Sequence, residues 1–445
     1  MDSYKVVVVD DSAFMRKIIS DLIETDSIFQ VIGTAVNGRE AIQKISELKP
    51  DIVTMDVEMP EMNGLEALKA VMESYPIPVI MLSGINESGL EETILALESG
   101  AFDFIRKPSA SNSQDIIQVK ELLLEKMHSA MQAKQRREAR RLEEVGKQNE
   151  VIQEINPILK SKPMTLATAG SVKAPEIKVA RAAPTRNMLQ KEIRNPKINT
   201  LYEPVKRNVQ SVKPEHVIQK VVLPGIAKIV PKVVPKAVPK IVPKVRQDES
   251  KNSSFQHLIA IGCSTGGPRA LKTLLEKIPE DIPAAIVIVQ HMPPKFTKSL
   301  AQRLNSFSAI EVVEAEHGMI LQQGYAYIAP GGFHMTIRSS SIGQYAISIS
   351  AEVARNGHRP SVDTMFESLL QLHNIERHVV LLTGMGSDGA KSMKQLYDSG
   401  VNDTYAESEE TCIVYGMPRS AVELKCVTHI LPLEEIPNKI VRMLK

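Results

Sequence analysis

The sequence is poor in the features that carry a protein into a membrane or lock it with covalent cross-links. It has no uninterrupted apolar run of about 18 residues, the length a bilayer-spanning helix needs. Its opening, MDSYKVVVVDDS, has an acidic pair where a secretory signal would have a basic flank and a cleavage site. A cytoplasmic location with no direct membrane insertion is therefore expected. Only three cysteines are present, Cys263, Cys412 and Cys426; they lack metal-binding spacing and cannot all pair, so reduced thiols are expected, and neither a disulfide nor a zinc site is. Two phosphate-binding signatures are also missing. In IAIGCSTGGPRALKTLL, Ile259 to Leu275, Gly267 is followed by Pro268 and Arg269 where a Walker loop needs Lys and then Ser or Thr. Gly262, Gly266 and Gly267 are wrongly spaced for a dinucleotide turn. There is no helix-turn-helix pattern, and nucleic acid is not an expected partner.

What is present suffices for two or three domains, with 445 residues of which 43% are hydrophobic. The net charge of +2 hides a division, because residues 151–250 hold 19 Lys and Arg against 7 Asp and Glu while the rest of the chain is acidic. That middle also contains 12 of the 27 prolines and the repeat IVPKVVPKAVPKIVPK, Ile229 to Lys244. Proline at every fourth position removes backbone donors and biases the preceding residues against helix, so an extended, disordered spacer is expected. Just before it, QAKQRREARRLEEVGKQNE reads as the continuation of a helix. The expected organisation is a domain over residues 3–125, a helix extension with a Pro/Lys/Val-rich linker over 126–253, and a second domain over 254–445.

In the first segment, strand-length apolar runs (KVVVVD, FQVIGTAV, DIVTMD, PVIMLSG, AFDFIRK) alternate with segments of helical spacing such as FMRKIISDLIET. This predicts a parallel sheet with helices on both faces. Ligands of such sheets sit at the carboxyl ends of the strands. Asp10 and Asp11 end the first strand, Asp56 the third, Ser83 the fourth and Lys107 the fifth. Three carboxylates in one cleft repel one another unless a hard cation lies among them, and Mg²⁺ suits oxygen ligands with retained waters. A lysine opposite and a hydroxyl nearby would stabilise a phosphoryl group on one carboxylate. Together with Met59-Pro60, Asn63-Gly64 and Pro108, these residues resemble the receiver domain of two-component response regulators. The resemblance implies a five-stranded doubly wound sheet of order 2-1-3-4-5, phosphorylation at Asp56, Mg²⁺ held by Asp10, Asp11 and Asp56, a switch hydroxyl on Ser83 and a phosphate contact from Lys107.

The alternation resumes after Ser254. HLIAIG leads into Gly262-Cys263-Ser264-Thr265-Gly266, a G-x-S-x-G turn of the kind that presents a serine oxygen between strand and helix. AAIVIVQH ends in His291, and HVVLLTGMGSDGA opens into a glycine-rich turn carrying Asp388. In a parallel sheet these strand ends share one edge. A weakly nucleophilic hydroxyl, an imidazole to take its proton and a carboxylate to orient the imidazole are what nucleophilic catalysis by serine requires. The chain order Ser, His, Asp differs from the Ser, Asp, His of α/β-hydrolases.

The motifs Ser264-Thr265-Gly266-Gly267-Pro268, Gln290-His291-Met292-Pro293-Pro294, Arg359-Pro360-Ser361-Val362-Asp363, Gly384-Met385-Gly386-Ser387-Asp388-Gly389-Ala390 and Tyr415-Gly416-Met417-Pro418 resemble the catalytic domain of chemotaxis protein-glutamate methylesterases. That resemblance implies a larger three-layer α/β hydrolytic domain and phosphorylation-regulated hydrolysis of glutamyl methyl esters on methyl-accepting chemoreceptors. It also implies receptor glutamine deamidation and a chemotaxis histidine kinase as phosphodonor. Ser264 would be nucleophile, His291 base and Asp388 orienting acid, with backbone N–H groups at Thr265 and Met385 as oxyanion candidates and no cofactor in this domain. Two departures from the family pattern stand out: Ala406-Glu407-Ser408 replaces an Ala-Gln-Asp, and the linker is far longer than usual. Another serine hydrolase activity, as a peptidase or thioesterase, and a non-catalytic receptor-binding regulator are the alternative readings.

Overall fold

The structure, a computed structural model, describes residues 3–84, 86–108, 113–155, 255–341 and 343–444. The Val-Pro-Lys repeat and residues 156–254, most of the expected linker segment, lie outside the described residues.

The first lobe has five parallel strands, β1 (Tyr4–Val9), β2 (Phe29–Ala35), β3 (Ile52–Asp56), β4 (Val79–Ser83) and β5 (Asp103–Arg106), in the order β2-β1-β3-β4-β5. Helices α1 (Ala13–Glu24), α2 (Gly38–Leu48), α3 (Gly64–Ser74), α4 (Glu87–Glu98) and α5 (Ser113–Ile155) connect and follow them. The inner strands are mainly apolar because both faces are covered; Val6 to Val9 are wholly buried. Polar side chains fix where the helices start. Ser12 accepts from the Met15 N–H, and Asn63 and Glu66 form a reciprocal capping box. Helix α5 runs unbroken across position 126. Val119, Leu123, Met127, Ala130 and Met131 recur at helical spacing along it and pack with Val6, Val8 and Ile19 of the first lobe and with Val414 of the second.

The second lobe is built on seven parallel strands: β6 (His257–Cys263), β7 (Ala284–Gln290), β8 (Glu311–Glu314), β9 (Tyr325–Ile328), β12 (Glu376–Leu381), β13 (Thr404–Glu407) and β14 (His429–Leu431). Their order is β14-β13-β12-β6-β7-β9-β8. Helices α6 (Gly267–Leu275), α7 (Phe296–Asn305), α8 (Val362–Ser368), α9 (Ala390–Asp398), α10 (Met417–Glu423) and α11 (Ile436–Met443) accompany them. An antiparallel hairpin of β10 (His334–Ser341) and β11 (Gln344–Ser350) stands apart from this sheet and departs from the parallel pattern expected throughout. No helix among the described residues is long and apolar enough to cross a membrane.

The lobes meet through α4, β5 and α5 on one side and α6, α7 and the loops after β6 and β12 on the other. Phe104 of β5 and Phe296 of α7 lie with ring centroids 4.6 Å apart, and Arg303 of α7 makes a two-pronged ion pair with Glu98 of α4 at 2.8–3.2 Å. Burial of one such ring is worth roughly 1.5–3 kcal/mol. Arg303 is partly exposed, and pairs of that kind contribute about 1 kcal/mol or less. Apolar packing therefore dominates the junction.

Candidate active site and acidic cluster

Ser264 follows β6 directly, held by its N–H bond to the Thr383 carbonyl. The turn after it depends on glycine: Gly266 has φ of 82°, and a Cβ there would lie 2.7 Å from Ile413. His291 follows β7, its N–H bonded to the Cys263 carbonyl, and its Nε2 lies 2.8 Å from Asp388 Oδ2. Asp388 is buried and clamped from a second direction. The Ser361 hydroxyl donates to it at 2.9 Å, and the N–H groups of Val362 and Asp363 donate at 2.7 and 3.1 Å from the first turn of α8. Burial alone would push the Asp388 carboxyl up, but the His291 ring and these N–H donors overcome it and hold the group down at about 2.

With Nε2–H directed at Asp388, Nδ1 is the ring nitrogen left free to accept a proton. Nδ1 is buried and has no hydrogen-bond partner among the described residues. His291 and Ser264 line one cleft of about 320 Å³, together with His358 and Met385. The structure joins His291 to Asp388 and brings Ser264 to the same cleft; no Ser264–His291 hydrogen bond is formed. His358 stacks on His291 with ring centroids 3.8 Å apart and planes 8° from parallel. Burial, reinforced by the His291 charge, pushes His358 down to about 4, so this ring is neutral near pH 7. His358 and Ser361 went unassigned in the sequence, although the adjoining Arg359-Pro360-Ser361 motif points toward them.

The N–H groups of Thr265 and Met385 make no hydrogen bond among the described residues, as oxyanion donors require. Both side chains touch the first lobe: the Thr265 hydroxyl donates to Asp103, which also pairs with Lys126, and the Ser129 hydroxyl contacts the Met385 sulfur. Phe104, Leu122 and Lys126 of that lobe complete the cleft wall. Cys263 is not a rival nucleophile. Its side chain is fully buried, its thiol donates to Gln290 Oε1 at 3.1 Å, and burial pushes its pKa far up.

Glu407 ends β13 with no exposure, accepting from the Thr383 N–H at 2.8 Å through one oxygen while the other lacks a hydrogen-bond partner among the described residues. Burial pushes it up to about 7.

In the first lobe, ligand oxygens of Asp10, Asp11 and Asp56 lie within 4.8 Å of one another. Lys107 Nζ sits 2.8 Å from Asp10 Oδ2 and 2.6 Å from Asp56 Oδ2. Those two oxygens are buried, and neither has a properly angled hydrogen bond among the described residues. Burial, with the Asp10 charge adding to it, pushes Asp56 up to about 6 against the pull of Lys107. Two underserved carboxylate oxygens beside a third acid suit a hard divalent cation such as Mg²⁺. The Ser83 hydroxyl is buried and accepts from Thr93 at 2.7 Å, a partner the sequence did not announce.

Residues 6–119 match the response regulator receiver domain family and residues 259–440 the CheB methylesterase family. A protein-glutamate methylesterase/protein-glutamine glutaminase of Halalkalibacterium halodurans is 38% identical over 99% of this chain and 98% of its own length. That of Bacillus subtilis is 36% identical over 99% and 98%. The crystal structure of the Thermotoga maritima CheB methylesterase catalytic domain is 40% identical, covering 42% of this chain and 98% of that one with a TM-score of 0.41. Related to such proteins along essentially its whole length, the chain belongs to the protein-glutamate methylesterase/protein-glutamine glutaminase family.

Proposed function

We propose that the protein hydrolyses γ-glutamyl methyl esters on chemoreceptors, and deamidates receptor glutamines, under control of phosphorylation at Asp56. The observation that carries this reading is the His291–Asp388 pair at 2.8 Å, facing the cleft that holds Ser264. Ser264 Oγ attacks the ester carbonyl while His291 Nδ1 takes the hydroxyl proton, and Asp388 stabilises the resulting imidazolium. The tetrahedral oxyanion is received by the N–H groups of Thr265 and Met385. Its collapse breaks the bond to the methoxy group, which leaves as methanol with the proton from His291. Water, deprotonated by the same ring, then releases glutamate and restores Ser264. With a glutamine substrate the leaving group is ammonia.

In the first lobe Asp10, Asp11 and Asp56 would hold Mg²⁺, whose charge offsets that of the carboxylates and an incoming phosphoryl group. Lys107 contacts the phosphate on Asp56, and Ser83 exchanges Thr93 for it. A chemotaxis histidine kinase is the phosphodonor, and the enzyme works in the cytoplasm. Repression is by covering, a reading supported by the contacts of Asp103 with Thr265 and of Ser129 with Met385. The test is methanol release from methylated receptor membranes, with and without a small phosphodonor. Release that rises with phosphodonor and disappears in Ser264→Ala is the expected result. No release from receptor esters, with turnover of an unrelated ester or peptide, would assign the triad to another substrate class.

A further inference from the structure

At the amino edge of the second sheet, opposite the catalytic cleft, a second group of functional side chains converges. Strands β6 and β12 run parallel with His257 opposite Glu376 and His378 opposite Ile259. Residues two apart on a strand share a face, so His257, Glu376 and His378 all project to one side. Asp403, immediately before β13, joins them from the next strand. The sequence reading expected no metal here because it weighed cysteine spacing, and the set contains none.

The distances match one ion. His257 Nδ1 lies 3.2 Å from His378 Nε2 and 3.3 Å from Glu376 Oε2, and all three atoms fall within 4.8 Å of one another. Two ligands about 2.0–2.1 Å from a tetrahedral zinc ion are about 3.3 Å apart. His378 is 1% exposed, so its ring is held inside the fold at the base of the group. Its other nitrogen, Nδ1, has no hydrogen-bond partner among the described residues and faces Asp403 Oδ2 at 3.4 Å. A carboxylate at that distance is within reach of the second ring nitrogen, the contact by which carboxylates orient ligating imidazoles. Charge balances as well, because one divalent cation offsets Glu376 and Asp403. Glu376 is largely exposed, leaving the fourth position open to solvent.

We propose that His257, His378 and Glu376 bind a zinc ion, with Asp403 orienting His378. The ion ties the first residue of β6 to β12 on the edge away from the chemistry and leaves the triad untouched.

The test uses the full-length chain stripped with chelator and returned to excess Mg²⁺, which occupies the acidic cluster of the first lobe. Zn²⁺ is titrated by calorimetry, and Co²⁺ is followed by its visible absorption, which is intense for four-coordinate sites. One equivalent of Zn²⁺ and an intense Co²⁺ spectrum are expected. His257→Ala, a partly exposed site, should weaken binding by at least about 100-fold, and Asp403→Asn by about 10-fold. Glu376→Gln, at an exposed position, guards against a folding defect and should also weaken binding. Absence of binding would mean that the two imidazoles share a plain hydrogen bond, and would overturn the proposal. So would affinity unchanged in both His257→Ala and Glu376→Gln, or binding lost only in Asp56→Asn.

Discussion

Asp56 and Asp388 are both buried aspartates just beyond or at the end of a parallel strand, yet their environments drive them in opposite directions. Asp388 has an imidazole and two backbone N–H groups aimed at it and is held at about 2. Asp56 has a second carboxylate beside it and lies at about 6 despite Lys107. Burial raises both, so the donors decide the outcome. An aspartate charge satisfied within the protein is held in one place, as Asp388 is beside His291. One left undersatisfied beside other acids suits a hard divalent cation, as at Asp10, Asp11 and Asp56. Glu407 is a third point on this scale: burial pushes it to about 7 against the pull of the Thr383 N–H and of the Thr411 and Cys412 side chains.

The comparison breaks most sharply in catalysis. Asp388→Asn keeps the size of the side chain but removes the charge that faces His291, and kcat should fall by roughly 10³–10⁴-fold with little change in KM. Ser264→Ala should fall at least as far, and the double variant no further, because the residues act as one unit. Additive losses in methanol release would separate Asp388 from the serine chemistry.

Stability as a function of pH tests the other end of the scale. An unfolded glutamate ionises near 4.3, whereas folded Glu407 keeps its proton up to about 7. The unfolded chain therefore binds fewer protons between those values, and stability falls as pH rises through them. Glu407→Gln removes this fall. In denaturant titrations it should gain up to about 3 kcal/mol above pH 7 and nothing near pH 4. Asp56→Asn should behave likewise in chelator, with its gain developing between about pH 4 and pH 6 and shrinking when Mg²⁺ is restored. A gain insensitive to pH would mean that packing, not charge, sets the effect.

The smallest expected change concerns the junction. Arg303→Ala removes a partly exposed ion pair worth about 1 kcal/mol or less, so basal methanol release should rise no more than about fivefold. Phe296→Ala should raise it further, provided the isolated fold survives by circular dichroism. Unchanged rates in both variants would count against repression by covering.

The sheets were legible from the sequence because alternation of apolar runs and helical spacing is a local property. The residues placed at strand ends followed from it, since a parallel sheet brings those ends to one edge. Partners supplied by tertiary approach were not legible. Ser361 reaches Asp388 only because α8 points its first turn at the loop after β12. His358 acts through ring stacking, which leaves no spacing signal, and Thr93 meets Ser83 through the placement of α4 against β4. The β10–β11 hairpin escaped because its strands resemble other short apolar runs until their pairing direction is known.

The clamp on Asp388 also bears on how the enzyme is made. Synthesis runs from the amino terminus, so the first lobe emerges before any triad residue, and Ser264 and His291 emerge before Ser361 and Asp388. Domains generally fold as they leave the ribosome. Asp388 and the helix turn that grips it are thus the last of these groups to arrive, after the first lobe and after Ser264 and His291. A nascent or truncated chain ending before Asp388 would carry Ser264 and His291 without the carboxylate that His291 faces.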